Sequence, residues 1–264
     1  MLKLLVNLDS DTQRYEYVNS QFQKLGIDIT RVSAVDLRKA SEDELKQYVA
    51  KLTSFNKLMR FPRTLLKGEV GCFLSHRKCW ETLVKSNENY AFICEDDIVI
   101  ADSIKEYLSD EKWLHGLDLV MMSSLGHEIG KDFKCTGEKL SLDNGNSIVF
   151  PYKLLGTQGY IISKKCALKA IELSEKIISP VDDFLFTARM PIKHLFKVGK
   201  LESVVVTESS KFLSGIGTRN TKQVKESYLI RHNPLFSIFK SYLSFTKSLF
   251  YKQKFTQKFE GVKD

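Results

Sequence analysis

No stretch of this 264-residue chain approaches the ~20 consecutive apolar residues that a membrane span requires. The apolar opening Met1-Leu2-Lys3-Leu4-Leu5-Val6 is too short for a signal peptide and lacks a small-residue cleavage site. Cysteines number five, an odd count, and no CxxC pair exists, which argues against a disulfide framework and a zinc knuckle. Free buried thiols in a reducing cytoplasm are the expectation. Neither GxGxxG nor GxxxxGK[ST] occurs, so a dinucleotide oxidoreductase and a P-loop enzyme are disfavoured. GxSxG and HExxH are also absent, which disfavours the common hydrolases. There is no internal repeat and no low-complexity segment.

What is present is an ordinary globular composition, 43% hydrophobic and 27% charged, enough for a sizeable core. The net charge of +8 invites a nucleic-acid reading until it is located along the chain. The last 43 residues hold nine lysines and arginines against three acids, so the tail is +6 and residues 1–221 are only +2. The expected division is a body, 1–221, and a basic aromatic tail, 222–264. The tail interleaves Phe239, Tyr242, Leu243, Leu249 and Phe250 with lysines. It suits either an anionic bilayer surface or packing on the body. RNA-binding signatures are missing and the charge is terminal, so no nucleic-acid partner is expected.

Leu4-Leu5-Val6-Asn7-Leu8 reads as a buried strand, and Tyr15, Val18, Phe22 and Leu25 as a helix stripe stopped by Gly26. Ile27, Ile29 and Val32 suggest a second strand. This βαβ unit predicts a mainly parallel sheet. Ser41-Glu42-Asp43-Glu44 is a capping box opening a helix, residues 51–67 read as a loop, and Glu69 to Lys85 as a helix. Tyr90 to Cys94 reads as a central strand, Leu117 to Met122 and Tyr160 to Ile162 as further strands, and residues 123–147 as a long functional loop. Lys164 to Lys176 reads as a helix, with late strands at 196–198 and 203–206.

The most informative feature is Glu95-Asp96-Asp97 at the end of an apolar strand. The carboxyl end of a central strand is where open α/β sheets hold ligands. Three mutually repelling acids there point to a divalent cation with oxygen ligands over a plain surface cluster. On the helix that follows Gly68, Glu69 and His76 fall on the same face as Phe73, Trp80 and Leu83. His76 is either a ligand contact or a core histidine with its partner. Gly156-Thr157-Gln158-Gly159 permits close backbone approach or simply a turn. Asp182-Asp183 either caps a helix or supplies a catalytic base.

Together these segments resemble glycosyltransferase family 25, the lipooligosaccharide galactosyltransferase family. Val6-Asn7-Leu8-Asp9 with Arg14, Arg31 to Asp36, Gly68 to His76, Cys94 to Asp97, Gly156 to Tyr160 and Pro180-Val181-Asp182 follow its blocks in order. Leu37 departs from the pattern, which places glycine after the aspartate. The resemblance implies an α/β, GT-A-like fold. A Rossmann-like nucleotide-sugar-binding half with a mainly parallel central sheet joins an acceptor-binding half and a helical C-terminal tail. It implies a UDP-sugar donor, most often UDP-galactose, and transfer with inversion to a β-linkage. It implies Glu95, Asp96 and Asp97 as the site for Mn²⁺ or Mg²⁺. The nucleotide sugar is then expected on Asn7, Leu8, Asp9, Arg14, Ala34, Val35, Asp36, Ser75, His76, Gly156 and Thr157. Asp182 or Asp183 is the first candidate for the base, with Glu69 next. The expected acceptor is a lipid-linked oligosaccharide, placing the protein in the cytoplasm and peripherally on the cytoplasmic face of the inner membrane. The rivals are a nucleotidyltransferase with the same layout and a non-enzymatic basic nucleic-acid or membrane-binding protein.

Overall fold

The computed structural model describes residues 1–50, 64–114, 116–123, 135–151, 154–187 and 190–212. The basic tail, 222–264, lies outside the described residues. β1 (Leu2–Asn7), α1 (Thr12–Lys24) and β2 (Thr30–Ser33) build the expected βαβ unit, with β1 and β2 parallel. α1 forms because Val18 and Phe22 recur on one face and are fully buried beneath it. α2 (Glu42–Tyr48) starts on the capping box read from the sequence. Glu44 N–H donates to Ser41 Oγ, and Ser41 N–H donates to Glu44 Oε2 at 2.6 Å.

α3 (Lys67–Lys85) is the long central helix and leads into β3 (Tyr90–Cys94). There follow β4 (Ile98–Ile100), α4 (Ile104–Ser109), β5 (Leu119–Met121), β6 (Cys135–Ser141), β7 (Ser147–Pro151) and β8 (Gly159–Ser163). The described chain closes with α5 (Lys164–Leu173), α6 (Val181–Phe186), α7 (Ile192–Leu195), β9 (Val198–Leu201) and β10 (Val206–Glu208).

The main sheet runs β2-β1-β3-β8-β5-β9-β7-β6. β2, β1 and β3 are parallel, β8 is antiparallel to both β3 and β5, β9 is parallel to β5, and β7 reverses again. Six of the eight strands therefore share one direction, with β8 and β7 opposed. This mainly parallel α/β plan is GT-A-like. β4 and β10 pair separately as a small antiparallel ribbon.

Strand alternation divides the core into two layers. Leu4, Val6, Ile93, Tyr160 and Ile162 face Phe73, Trp80, Phe184 and Phe186 of the α3 and α6 layer. Leu5, Phe92, Cys94, Val120 and Ile161 face Phe22, Ile104 and Tyr107 of the α1 and α4 layer. Burial on both faces explains why these strands read as continuous apolar runs.

Four expectations need correction. The segment 123–147 is not one loop, because it contains β6, paired antiparallel with β7 around Leu142 to Asn146. Gly145 takes φ 81°, and the turn Asp143-Asn144-Gly145 was the available signal. The helix expected at 164–176 ends at Leu173, and the two late strands lie two to three residues later than expected, at 198–201 and 206–208. Val206 is the pairing residue opposite Ile100, which defines that last strand.

Candidate functional site

The parallel register places Asn7 beside Ser33 and aligns the carboxyl ends of β1, β2 and β3 on one edge. Because β8 is antiparallel, its start arrives at that edge too, with Gly159 opposite Cys94. The amino-terminal half of α3, through Gly68, Cys72 and Ser75, completes the rim. An open cleft of about 120 Å³ lies there, bounded by Asn7, Leu8, Arg14, the Ala34 to Arg38 segment, Cys72, Ser75 and Glu95-Asp96-Asp97.

The Ala34 to Arg38 wall is clamped onto α3. Val35 N–H donates to Ser75 Oγ at 2.8 Å, and Ser75 Oγ donates to Gly71 O at 2.7 Å. A Cβ at position 71 would stand 2.5 Å from Val35 O, so glycine is what lets the backbone approach the helix this closely. Ala34 N–H adds a bond to Asn7 O at 2.9 Å. At the rim, Arg38 grips Asp36 through Nε and Nη2, which holds the Asp36 carboxyl down at about 2.

The three acids are held differently. Glu95 Oε1 accepts from Thr157 Oγ1 at 2.6 Å and lies 3.3 Å from His76 Nε2. His76 Nδ1 lies 2.9 Å from Tyr160 Oη, which also accepts from Trp80 Nε1 at 3.0 Å. A carboxylate can only accept, so His76 Nε2–H faces Glu95, which leaves Nδ1 to accept from the Tyr160 hydroxyl. Burial works against the Glu95 charge, yet the His76 and Thr157 bonds outweigh it and lower its pKa.

Asp96 accepts from Asn7 Nδ2 at 2.6 Å and lies 3.3 Å from Arg14 Nε; burial nevertheless raises its pKa. Asp97 Oδ2 lies 3.1 Å from Arg14 Nη2, while Asp97 Oδ1 is buried with no hydrogen-bond partner. Burial, then the neighbouring Glu95 charge, push the Asp97 carboxyl up to about 7. Asn7 Oδ1 is likewise buried and unpartnered. Orphaned oxygen acceptors beside three carboxylates that share one arginine are a donor set that a hard divalent cation would satisfy.

Most of the expected nucleotide residues are brought to the cleft: Asn7, Leu8, Arg14, Ala34, Val35, Asp36 and Ser75 all line it. Asp9 is not brought there. It is exposed and accepts from Ser33 Oγ at 2.6 Å, tying β1 to β2 instead. His76 and Thr157 meet the site through Glu95 and do not line its walls. Gly156 N–H donates to Asp182 Oδ2 at 3.3 Å, which sets Asp182 at the amino end of α6 near the rim. Burial raises the Asp182 pKa above its ordinary value. Asp183 is 3% exposed in the interior and does not line the cleft. Glu69 accepts from Leu66 N–H at 2.8 Å, closing the first turn of α3. Cys72 and Arg38 were not foreseen as lining residues. The signal for Cys72 was its four-residue spacing from His76, which puts both on one helix face.

The α/β sheet thus carries, at the carboxyl edge of its parallel strands, a cleft whose acidic wall also bears Arg14. The family model of glycosyltransferase family 25 (LPS biosynthesis protein) matches residues 1–185, and the chain belongs to that family.

Among its relatives is a glycosyltransferase 25 family member from Aedes aegypti. It is 30% identical over 187 residues, 69% of this chain and 30% of that protein. Procollagen galactosyltransferase 1-A from Xenopus laevis is 28% identical over 184 residues, again 69% of this chain and 30% of that protein. The chain thus spans about a third of the length of these animal relatives. Lipooligosaccharide biosynthesis protein lic2B from Haemophilus influenzae is 24% identical over 249 residues, 84% of this chain and 88% of that protein.

Proposed function

We propose that the chain is an inverting glycosyltransferase that moves galactose from UDP-galactose onto a hydroxyl of a lipooligosaccharide or lipopolysaccharide glycan, forming a β-linkage. The observation that carries this reading is Asp97, whose carboxyl is left with an unpartnered buried oxygen beside a cleft that Arg14 also lines. The family supports glycosyl transfer, and the similarity to lic2B along most of both chains supports the acceptor class. The name of the Xenopus relative supports galactose.

On this reading Asp97 and Asp96, with Asn7 Oδ1, hold Mn²⁺ or Mg²⁺. Such an ion would supply the positive charge that offsets a leaving diphosphate. Arg14 supplies positive charge on the same wall, and the clamped Ala34 to Asp36 segment fits the nucleoside. Asp182 takes the proton of the acceptor hydroxyl, which its raised pKa and its place beside Gly156 favour. Glu95 is turned toward His76 and Thr157 and acts by keeping the end of β3 in position. No helix among the described residues is long and apolar enough to cross a membrane. Docking of the tail on an anionic bilayer would bring the enzyme to a lipid-linked acceptor.

The test is to incubate the chain with a panel of UDP-sugars and truncated lipooligosaccharide, with and without manganese, and follow free UDP and the anomeric configuration of the product. UDP release with a β-linked galactose is expected. An α-linked product would overturn inversion, and release of sugar 1-phosphate in place of UDP would overturn sugar transfer altogether.

A further inference from the structure

We propose that Cys72, His76 and Glu95 form a binding site for a soft divalent metal ion, zinc in chemical class, beside the oxygen-lined pocket of Asp97. One ligand atom from each residue lies within 4.8 Å of the other two. Cys72 and His76 are four residues apart on α3 and project from one face. Glu95 comes to meet them from the end of β3, with Oε1 already 3.3 Å from His76 Nε2.

A tetrahedral zinc has bonds of about 2.0–2.3 Å, so its ligand atoms stand roughly 3.3–3.8 Å apart. The cluster needs to close by about 1 Å, within reach of a rotamer adjustment at Cys72 and Glu95, both of which line the cleft. The surrounding groups suit a metal. Tyr160 Oη sits on His76 Nδ1 and is itself fixed by Trp80, and Thr157 Oγ1 orients the Glu95 carboxylate. Such outer partners set the tautomer and aim of metal ligands. A thiol and an imidazole select zinc over magnesium and manganese, which prefer all-oxygen surroundings.

On binding, the Cys72 S–H bond breaks, its proton leaves to solvent, and a sulfur–metal bond forms. The His76 ring proton moves to Nδ1, where Tyr160 Oη accepts it, and Nε2 takes the metal. Three protein ligands leave a fourth position open to the cleft. Because Cys72 and Glu95 line the same cleft as Asp96 and Asp97, a zinc ion here competes with the donor-binding arrangement. Zinc is thus an inhibitor of this cleft, whereas manganese is not.

The experiment is a cobalt(II) titration of the folded, metal-free full chain, read by near-ultraviolet absorbance for the thiolate-to-cobalt charge-transfer band. The expected result is a band that saturates at one equivalent, is bleached by zinc, is untouched by manganese, and is lost in Cys72→Ser. Circular dichroism verifies that Cys72→Ser is folded. Glu95→Gln, which keeps the shape of the side chain, is expected to weaken cobalt binding at least tenfold while the band survives. No band at saturating cobalt, or a band unchanged in Cys72→Ser, overturns the site. The absorbance does not depend on sugar transfer, so failure of this site and failure of the proposed activity are distinguishable.

Discussion

Gly71→Ala makes the sharpest test of how the cleft wall is built. In a helix interior this substitution ordinarily stabilises by about 0.8–1 kcal/mol, because alanine has the better helix propensity. Here the opposite sign is expected. The new Cβ would stand 2.5 Å from Val35 O, whereas a relaxed carbon–oxygen contact is about 3.3 Å. The 34–38 segment must then retreat by roughly 0.8 Å from α3. Val35 N–H is bonded to Ser75 Oγ at 2.8 Å, and a retreat of that size breaks the bond. The displaced backbone adds overpacking of about 1–3 kcal/mol and the lost bond about 1 kcal/mol more.

Set against the propensity gain, the net is a loss of roughly 1–3 kcal/mol. At about 2–4 °C per kcal/mol for a domain of this size, the midpoint falls by roughly 2–12 °C. Thermal and urea unfolding measure the stability, and calorimetric titration with UDP in manganese measures the wall. UDP affinity should fall about tenfold, corresponding to about 1.4 kcal/mol. A Gly71→Ala protein that is more stable by about 1 kcal/mol and binds UDP as before would refute the reasoning. Ser75→Ala should reproduce the loss of UDP affinity without the overpacking.

The remaining predictions concern the acids, the buried polar chain and a cap. Asp97 has a folded pKa raised to about 7 from 3.8, so its protonation stabilises the fold fully below pH 3.8, and that contribution is lost as pH rises through 7. Metal-free protein should therefore lose stability over that window. Asp97→Asn should flatten the dependence in urea melts and abolish manganese-dependent UDP release. The same carboxyl should make manganese affinity rise with pH up to about 7 and level off above it, as isothermal titration would show. Tyr160→Phe removes the acceptor of Trp80 Nε1 and the partner of His76 Nδ1, both buried, and should destabilise by about 1–3 kcal/mol in urea unfolding. Ser41→Ala removes a helix cap and should cost about 1 kcal/mol with no effect on UDP affinity.

Local patterns were readable wherever a short stretch carries its own physics. The α1 stripe of Val18 and Phe22, the Ser41 capping box and the apolar run ending at Glu95 each report a helix face, a helix start and a buried strand. The β6–β7 hairpin was harder to see, because β6, Cys135–Ser141, is a mostly polar edge strand in which apolar alternation is weak. Asp182 and Asp183 look alike in the chain, yet a helix turn sends one toward Gly156 and buries the other at 3% exposure.

By itself the sequence determined the β-α-β order, the three acids at a strand end, the helix bearing Glu69 and His76, and the separation of a nearly neutral body from a basic tail. All of these depend on neighbours within a few residues. Only the tertiary structure decided that β8 enters antiparallel between β3 and β5, which brings Gly156 and Thr157 to the acidic edge. It also decided that Glu95 belongs to His76 and Thr157, Asp96 to Asn7, and that Asp97 keeps a free oxygen. Those assignments rest on contacts between residues up to 89 positions apart, set by sheet register and by which face of α3 meets the sheet. No local pattern encodes distances of that kind.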